Sequence, residues 1–474
     1  MRDSTKPLWQ ASACDIADAV ARREITCEAA VGAAIDRVRE VNGHLNAVVD
    51  DLSETALAEA AAADKALAEG AATGLLQGVP VTIKENIDQT GRATPNGITA
   101  FKDIIAPGDA PMVTNLKAAG AIVIGRTNTP EFSFRATTVN ELHGRTYSPW
   151  NDWVSSGGSS GGASSAVMSG MGAIAHGNDI GGSLRFPAYC TGAATVKPGL
   201  GRTPAWNPSQ TAERGLLAQL MSVQGAICRE VRDVRAAMKA MIAYSPLDPW
   251  QAPVAWDGPP IGGPIKVAFT RETFEFETDP AIATALDTAA GALSDAGYEI
   301  VEIEPPSVRE IGHEAQKCLF GETLTMLGEA IEAYGSAEIK SIFQTYTEMF
   351  EPYFGDDLLH AMARRSSHVR AWTVFLADYP LVLTPFLPTP PFKWDRDTEG
   401  TDGVSEVLGA ALYSYAMNYL GLPSGNIPAH FSGGLPIGVQ IVGRRFREDM
   451  ILDACEVVEQ RAGLMCERLW SGDR

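Results

Sequence analysis

The sequence predicts an α/β fold built as one large domain, on three observations. Two stretches, Met112–Asn128 and Ile265–Ile303, alternate helix and strand patterns in the manner of βαβ units. Hydrophobic residues make up 45% of the 474, ample for a sizeable core. No linker-like stretch divides the chain, although the length alone would allow about three domains.

In chain order, residues 8–40 read as two helices. Ile16 and Val20, then Val31, Ile35 and Val38, fall at helical spacing. Thr26 is placed to cap the second helix. Ser53–Glu69 is alanine-rich and a strong intrinsic helix former, with Gly74 expected to break it. In Gly78–Ile87, Val79, Val81 and Ile83 alternate as in a strand, and Lys84 stands at its end. A lysine there ordinarily snorkels to solvent. It serves as a base only if burial or a positive neighbour brings it down from a pKa of about 10.4. Met112–Asn128 reads as helix, turn and strand, with Gly120 as the helix C-cap and Ala121–Ile124 as a buried parallel strand.

The stretch Ser155–Pro187 organises the rest. It holds two glycine clusters, Gly157-Gly158-Ser159-Ser160-Gly161-Gly162 and Asp179-Ile180-Gly181-Gly182-Ser183-Leu184-Arg185. Gly/Ser runs are often linkers, but Ala163–Ile174 between the clusters is small and apolar and suits a tightly packed helix. Paired glycines let a substrate approach main-chain N–H groups closely, and serines beside them are candidate nucleophiles or proton carriers. A phosphate cradle is disfavoured, because the Lys-Ser/Thr ending of a P-loop is missing. Asp179 and Arg185 flank the second turn with opposite charges and are placed to clamp it as an ion pair.

Residues 205–260 read as loops around an amphipathic helix near Val231–Ile242. Ile265–Thr270, Ala281–Ala296 and Glu299–Ile303 follow as strand, helix and strand. Residues 306–380 are mostly helical and rich in aromatics; they and Arg135–Asn140 are expected to line the substrate pocket. Leu381–Pro391 reads as a buried strand ending in a proline turn, Leu422–Gly443 as two strands and a turn, and Glu448–Arg461 as the closing helix.

A net charge of −20 argues against nucleic acid or an anionic membrane as partner and favours neutral or cationic small molecules. Seven scattered cysteines without a CxxC pair indicate neither a disulfide framework nor a zinc site, and fit a reducing cytoplasm. The first ten residues lack the apolar core of a signal peptide, and no run reaches transmembrane length. None of the seven histidines makes a convincing triad member, and His176 reads as structural. Without histidine, a serine needs another base.

The motif G-G-S-S-G-G, then a small-residue helix, then D-x-G-G-S-x-R-x-P, resembles the signature of the amidase signature family of serine hydrolases. Ser159 and Ser183 lie 24 positions apart, the family's spacing. Gly78–Asn86 (G-V-P-V-T-I-K-E-N) resembles the family's G-x-P-x-x-x-K-D-N, with Glu85 for the commoner aspartate. Ala118–Phe132, Gly144–Asp152 and Pro436–Gln440 resemble three further blocks, with Arg126 in place of a lysine. Asn178 stands where most members carry threonine.

The resemblance implies a large mixed, twisted sheet sandwiched between layers of helices, with the active site at a loop edge. It divides the single domain into N-terminal helices (1–75), a signature core (76–204), a variable substrate-pocket region (205–400) and C-terminal core strands and helix (401–474). It implies Ser183 as nucleophile, Ser159 as a bridging serine after a cis peptide, and neutral Lys84 as general base. The amides of Ile180, Gly181, Gly182 and Ser183 would form the oxyanion hole, supported by Gly158, Ser160, Asp179 and Arg185. The implied enzyme hydrolyses small-molecule amides, with aryl amides, carbamates and esters in reach, and needs no metal or cofactor. A homodimer is compatible with it. Two other readings stay open: a glutamyl-tRNA amidotransferase component that releases ammonia from glutamine beside partner subunits, and a catalytically silent binding protein of the same fold.

Overall fold

A computed structural model of the chain describes residues 6–472; the first five residues, which open the stretch read for a signal peptide, lie outside it. Among the described residues, eleven strands form one mixed sheet: β1 (Val48–Asp51), β2 (Pro80–Lys84), β3 (Ile122–Thr127), β4 (Ile174–Asp179), β5 (Ala194–Lys197), β6 (Val223–Cys228), β7 (Lys266–Phe269), β8 (Glu299–Glu302), β9 (Leu381–Thr384), β10 (Ser424–Ser432) and β11 (Leu435–Gly443). Their order is β1-β3-β2-β4-β6-β5-β10-β11-β9-β7-β8. Helices enclose the sheet, so the fold class is α/β as expected. The predicted βαβ unit is present: β7 and β8 pair in parallel across the helix Pro280–Asp295.

The N-terminal helices are Ala13–Ala21 and Cys27–Leu45, and Thr26 caps the second by accepting from the Ala29 amide at 3.0 Å. The alanine-rich helix spans Ser53–Ala68, and the chain turns at Gly70, φ +96°, before it reaches Gly74. Gly120, φ +92°, lies just past the helix Pro111–Ala118. Strand β3 is parallel to β2 but antiparallel to β1. Between the glycine clusters the helix occupies only Gly161–Met168, because Gly170 and Gly172 take positive φ and turn the chain into β4. A further helix, Met465–Ser471, follows Glu448–Ala462.

Strands β1, β5 and β6 are absent from the sequence-based expectation. All six residues of β6 are buried, so its pattern carries no alternation. Gly225 interrupts its apolar run because a Cβ there would meet Leu184 at 2.5 Å. Central strands covered on both faces lose the period-two signal that marks half-buried ones.

The placement that matters for the site is in the third and fourth strands from the β1 edge. Strand β2 lies between β3 and β4, parallel to both. Lys84 closes β2, and Asn178 and Asp179 close β4. Both glycine clusters therefore gather at the ends of neighbouring strands.

Candidate active site

Lys84 is fully buried. Its Nζ lies 2.7 Å from Ser159 Oγ and 2.7 Å from Asn178 Oδ1. Burial holds the amine well below the ordinary lysine range, against the opposing pull of Asp179 and Glu85. A buried charge without a partner is costly, and a lysine escapes that cost by shedding its proton. A shift in this direction favours the uncharged amine, whose lone pair can accept a proton.

Ser159 sits in a loop shaped by its neighbours. The Gly158–Ser159 peptide is cis. A Cβ on Gly158 would lie 2.3 Å from the Arg135 carbonyl oxygen, and one on Gly157 would lie 2.5 Å from Pro187 Cα. Thr138 fastens the loop from both sides: its hydroxyl donates to the Gly157 carbonyl at 2.9 Å and accepts from the Gly161 amide at 3.1 Å. Ser160 stitches the two clusters together. Its amide donates to the Ser183 carbonyl at 3.3 Å, and its hydroxyl donates to the Asn178 carbonyl at 3.4 Å.

The second turn is built around Asp179. Its Oδ1 accepts from the Gly182 amide at 2.8 Å and its Oδ2 from the Leu184 amide at 3.1 Å. Arg185 closes the clamp the sequence suggested, with Nη2 3.0 Å from Oδ1 and both side chains buried. Burial alone would raise this carboxyl, but the Arg185 guanidinium and the amide hydrogens bring it down to about 2. Arg185 also donates to Gln440 Oε1 at 2.9 Å and the Ser414 carbonyl at 3.2 Å, and bonds Asn418 Oδ1.

The amides expected as oxyanion donors differ in their partners, and Gly182 stands apart. Its amide is already engaged by Asp179. The amides of Ile180, Gly181 and Ser183 make no hydrogen bond within the chain among the described residues. Gly182 keeps a conformational role, at φ +130° and with Phe186 2.5 Å from where a Cβ would sit.

Ser183 opens onto a narrow cavity of about 30 Å³, which Gly158, Ile180 and Gly181 also line. Most of its remaining wall is apolar and aromatic, from Phe134, Phe186, Leu319, Phe320, Leu408 and Tyr415, with Ser133 and Arg135 as the polar members. The expected pocket segments contribute Arg135, Ala136, Leu319 and Phe320, but Thr138 and Asn140 hold loops instead. Phe186, Leu408 and Tyr415 carry no local sequence signal for this place, since packing at long range brings them here. Arg135 presents no free charge, being tied to Glu338 at 2.6 Å, Asp395 at 2.7 Å and Asp397 at 2.8 Å. His176 is buried in β4 against Gln224 at 3.0 Å, and burial lowers it to about 3, so it is neutral and structural as expected.

The family model described as Amidase matches residues 29–452. The chain belongs to the amidase family. This amidase is 48% identical over 465 residues to an indoleacetamide hydrolase of Bradyrhizobium diazoefficiens, covering 98% of this chain and 89% of that protein. It is 45% identical over 381 residues to an indoleacetamide hydrolase of Bradyrhizobium japonicum, covering 80% of this chain and 82% of that protein. Its fold matches that of a bacterial aryl acylamidase of the amidase signature family at a TM-score of 0.85 and 24% identity, over 98% and 99% of the chains. This amidase is an amide hydrolase. Among its described residues, no helix is long and apolar enough to cross a membrane.

Proposed function

We propose that this amidase cleaves neutral aryl amides through an acyl-enzyme on Ser183, with primary arylacetamides as the preferred class. One observation carries the mechanism: a fully buried lysine amine lies 2.7 Å from the Ser159 hydroxyl, and Gly158, the residue before that serine, lines the same cavity as Ser183.

In this reading neutral Lys84 takes the Ser159 proton as Ser159 takes that of Ser183. Ser183 Oγ attacks the amide carbon. The amides of Ile180, Gly181 and Ser183 receive the oxyanion, and losing one such donor typically costs about 3–4 kcal/mol. The proton returns through Ser159 to the leaving nitrogen and the C–N bond breaks. Water then releases the acid and restores Ser183. The aromatic wall suits a planar acyl group, and the neutralised Arg135 leaves no charge to hold an acidic one. The indoleacetamide hydrolase relatives support the same class. Carbamates and esters share the tetrahedral chemistry and fall within the proposal.

The test is ammonia release from indoleacetamide by wild type and Ser183→Ala, beside a panel of amides, carbamates and esters. Wild-type activity that vanishes in the variant supports the reading. Equal rates in both, or release from glutamine alone, would refute it.

A further inference from the structure

We propose that Asn178 is a positioning residue that aims the lone pair of Lys84 at Ser159. The inference rests on the reading of Lys84 as the base. A neutral primary amine has two N–H donors and one lone pair, so it works as a base only when its hydrogens are occupied away from the proton it must take. Asn178 Oδ1, 2.7 Å from Nζ, is a pure acceptor and draws one N–H toward itself.

A carboxamide can flip, but this one is held. Its Nδ2 donates to Asn86 Oδ1 at 3.0 Å. Asn86 Nδ2 donates in turn to Ser133 Oγ at 3.0 Å, and Ser133 Oγ donates to Asn96 Oδ1 at 2.6 Å. The Asn86 carbonyl accepts from Asn207 Nδ2 at 3.0 Å. Each group fixes the direction of the one before it. A flipped Asn178 would face an N–H₂ against the amine and compete for the lone pair itself. A threonine hydroxyl, the residue expected at this place from the resemblance, can donate or accept by rotating. The asparagine relay removes that freedom.

Among the described residues, the titratable groups facing Lys84 are these. Asp179 and His176 face it from β4, and Glu85 follows it in the chain. Glu85 is held by His143 at 2.9 Å and by the Gly97 amide at 2.9 Å. From β3, Arg126 donates to the carbonyls of Glu85 and Ile87, each at 2.7 Å.

The experiment records kcat, KM and the pH profile of aryl amide hydrolysis for Asn178→Val, Asn178→Thr, Asn178→Asp, Asn86→Leu and the double variant Asn86→Leu/Asn178→Val. Asn178→Val should lower kcat at least about tenfold with little change in KM, and Asn178→Thr should recover most of it. Asn178→Asp should move the acid limb of the profile up by about one pH unit or more, since a carboxylate beside the amine favours its charged form. The double variant should be no worse than its poorer single, because both act along one path. A kcat for Asn178→Val within about twofold of wild type, or additive losses in the double variant, would overturn the proposal. If Asn178→Val does not fold, an unmoved acid limb in Asn178→Asp overturns it instead. Activity in Lys84→Ala would sink the underlying mechanism. An inactive Lys84→Ala beside a fully active Asn178→Val would sink only the role of Asn178.

Discussion

Arg185 grips Asp179 through two contacts, Nε to Oδ2 at 3.1 Å and Nη2 to Oδ1 at 3.0 Å, with neither side chain exposed. The same carboxylate holds the Gly182 and Leu184 amides on either side of Ser183. The pair thus shapes the turn that presents Ser183, the proposed nucleophile. Asp179→Asn would keep the side-chain size but leave the Arg185 charge uncompensated and set an N–H₂ against donors that Asp179 now accepts from. Breaking a buried pair typically costs about 3–5 kcal/mol. Urea unfolding of wild type and variant should show a loss of that order; a change under about 1 kcal/mol would contradict it.

Removing the proposed base should separate chemistry from folding. Lys84→Ala is expected to lower kcat/KM for an aryl amide by at least about a hundredfold, the usual scale for a general base. Ser183→Ala should fall to background and lose labelling by a fluorophosphonate probe. Near wild-type turnover in either variant ends the mechanism.

The pH dependence follows from the direction of the Lys84 shift. Burial lowers its pKa, and only the unprotonated amine accepts a proton. The rate should therefore climb with pH as Lys84 loses its proton, and fall on the acid side. A profile peaking below about pH 6 would be incompatible with a neutral lysine base.

His176 makes a prediction about stability. Its pKa is lowered to about 3 in the folded chain, while an unfolded histidine titrates near about 6.5. The unfolded state thus binds the extra proton first as pH falls. The stability His176 contributes is fully present above about pH 6.5 and lost as pH drops toward its folded value, by up to about 1.4 kcal/mol per pH unit. Unfolding at pH 7, 5 and 4 should show a shallower slope in His176→Gln than in wild type. Parallel slopes would refute the assignment.

Glycines give a paired control. Gly158→Ala sets a methyl 2.3 Å from the Arg135 oxygen and 2.7 Å from the Ala136 carbonyl carbon, and neither backbone atom can step aside cheaply. Loss of activity is expected. Gly291→Ala, within the helix Pro280–Asp295 and with nothing within 4 Å, should raise stability by roughly 0.5–1 kcal/mol at unchanged activity. Thermal melts and assays of the two side by side decide it.

The parts of the site legible in the sequence are those written as local pattern. Lys84 ends an alternating strand, and Ser159 and Ser183 stand in glycine clusters at a telling distance. Asp179 and Arg185 are six positions apart and can be paired on charge alone. What stays hidden depends on turns and long-range packing. The engagement of the Gly182 amide follows from how Asp179 folds back on its own turn. The relay from Asn178 to Asn86 joins residues 92 apart in sequence. Tyr415 and Phe186 both line the cavity only because long-range packing brings their helices there. Strand β6 escapes because full burial erases alternation.

Lys84 and Asn178 meet because β2 and β4 lie alongside each other, with Val81 opposite Ile174 and Thr82 opposite Ala175. Side chains on a strand alternate sides, so deleting one residue inside Pro80–Lys84 would swing the amine to the far side of the sheet. Length changes in evolution should therefore be tolerated unevenly. The exposed run near Gly262 and Gly263 can gain or lose residues freely, whereas the four positions leading to Lys84 can change in kind but not in number.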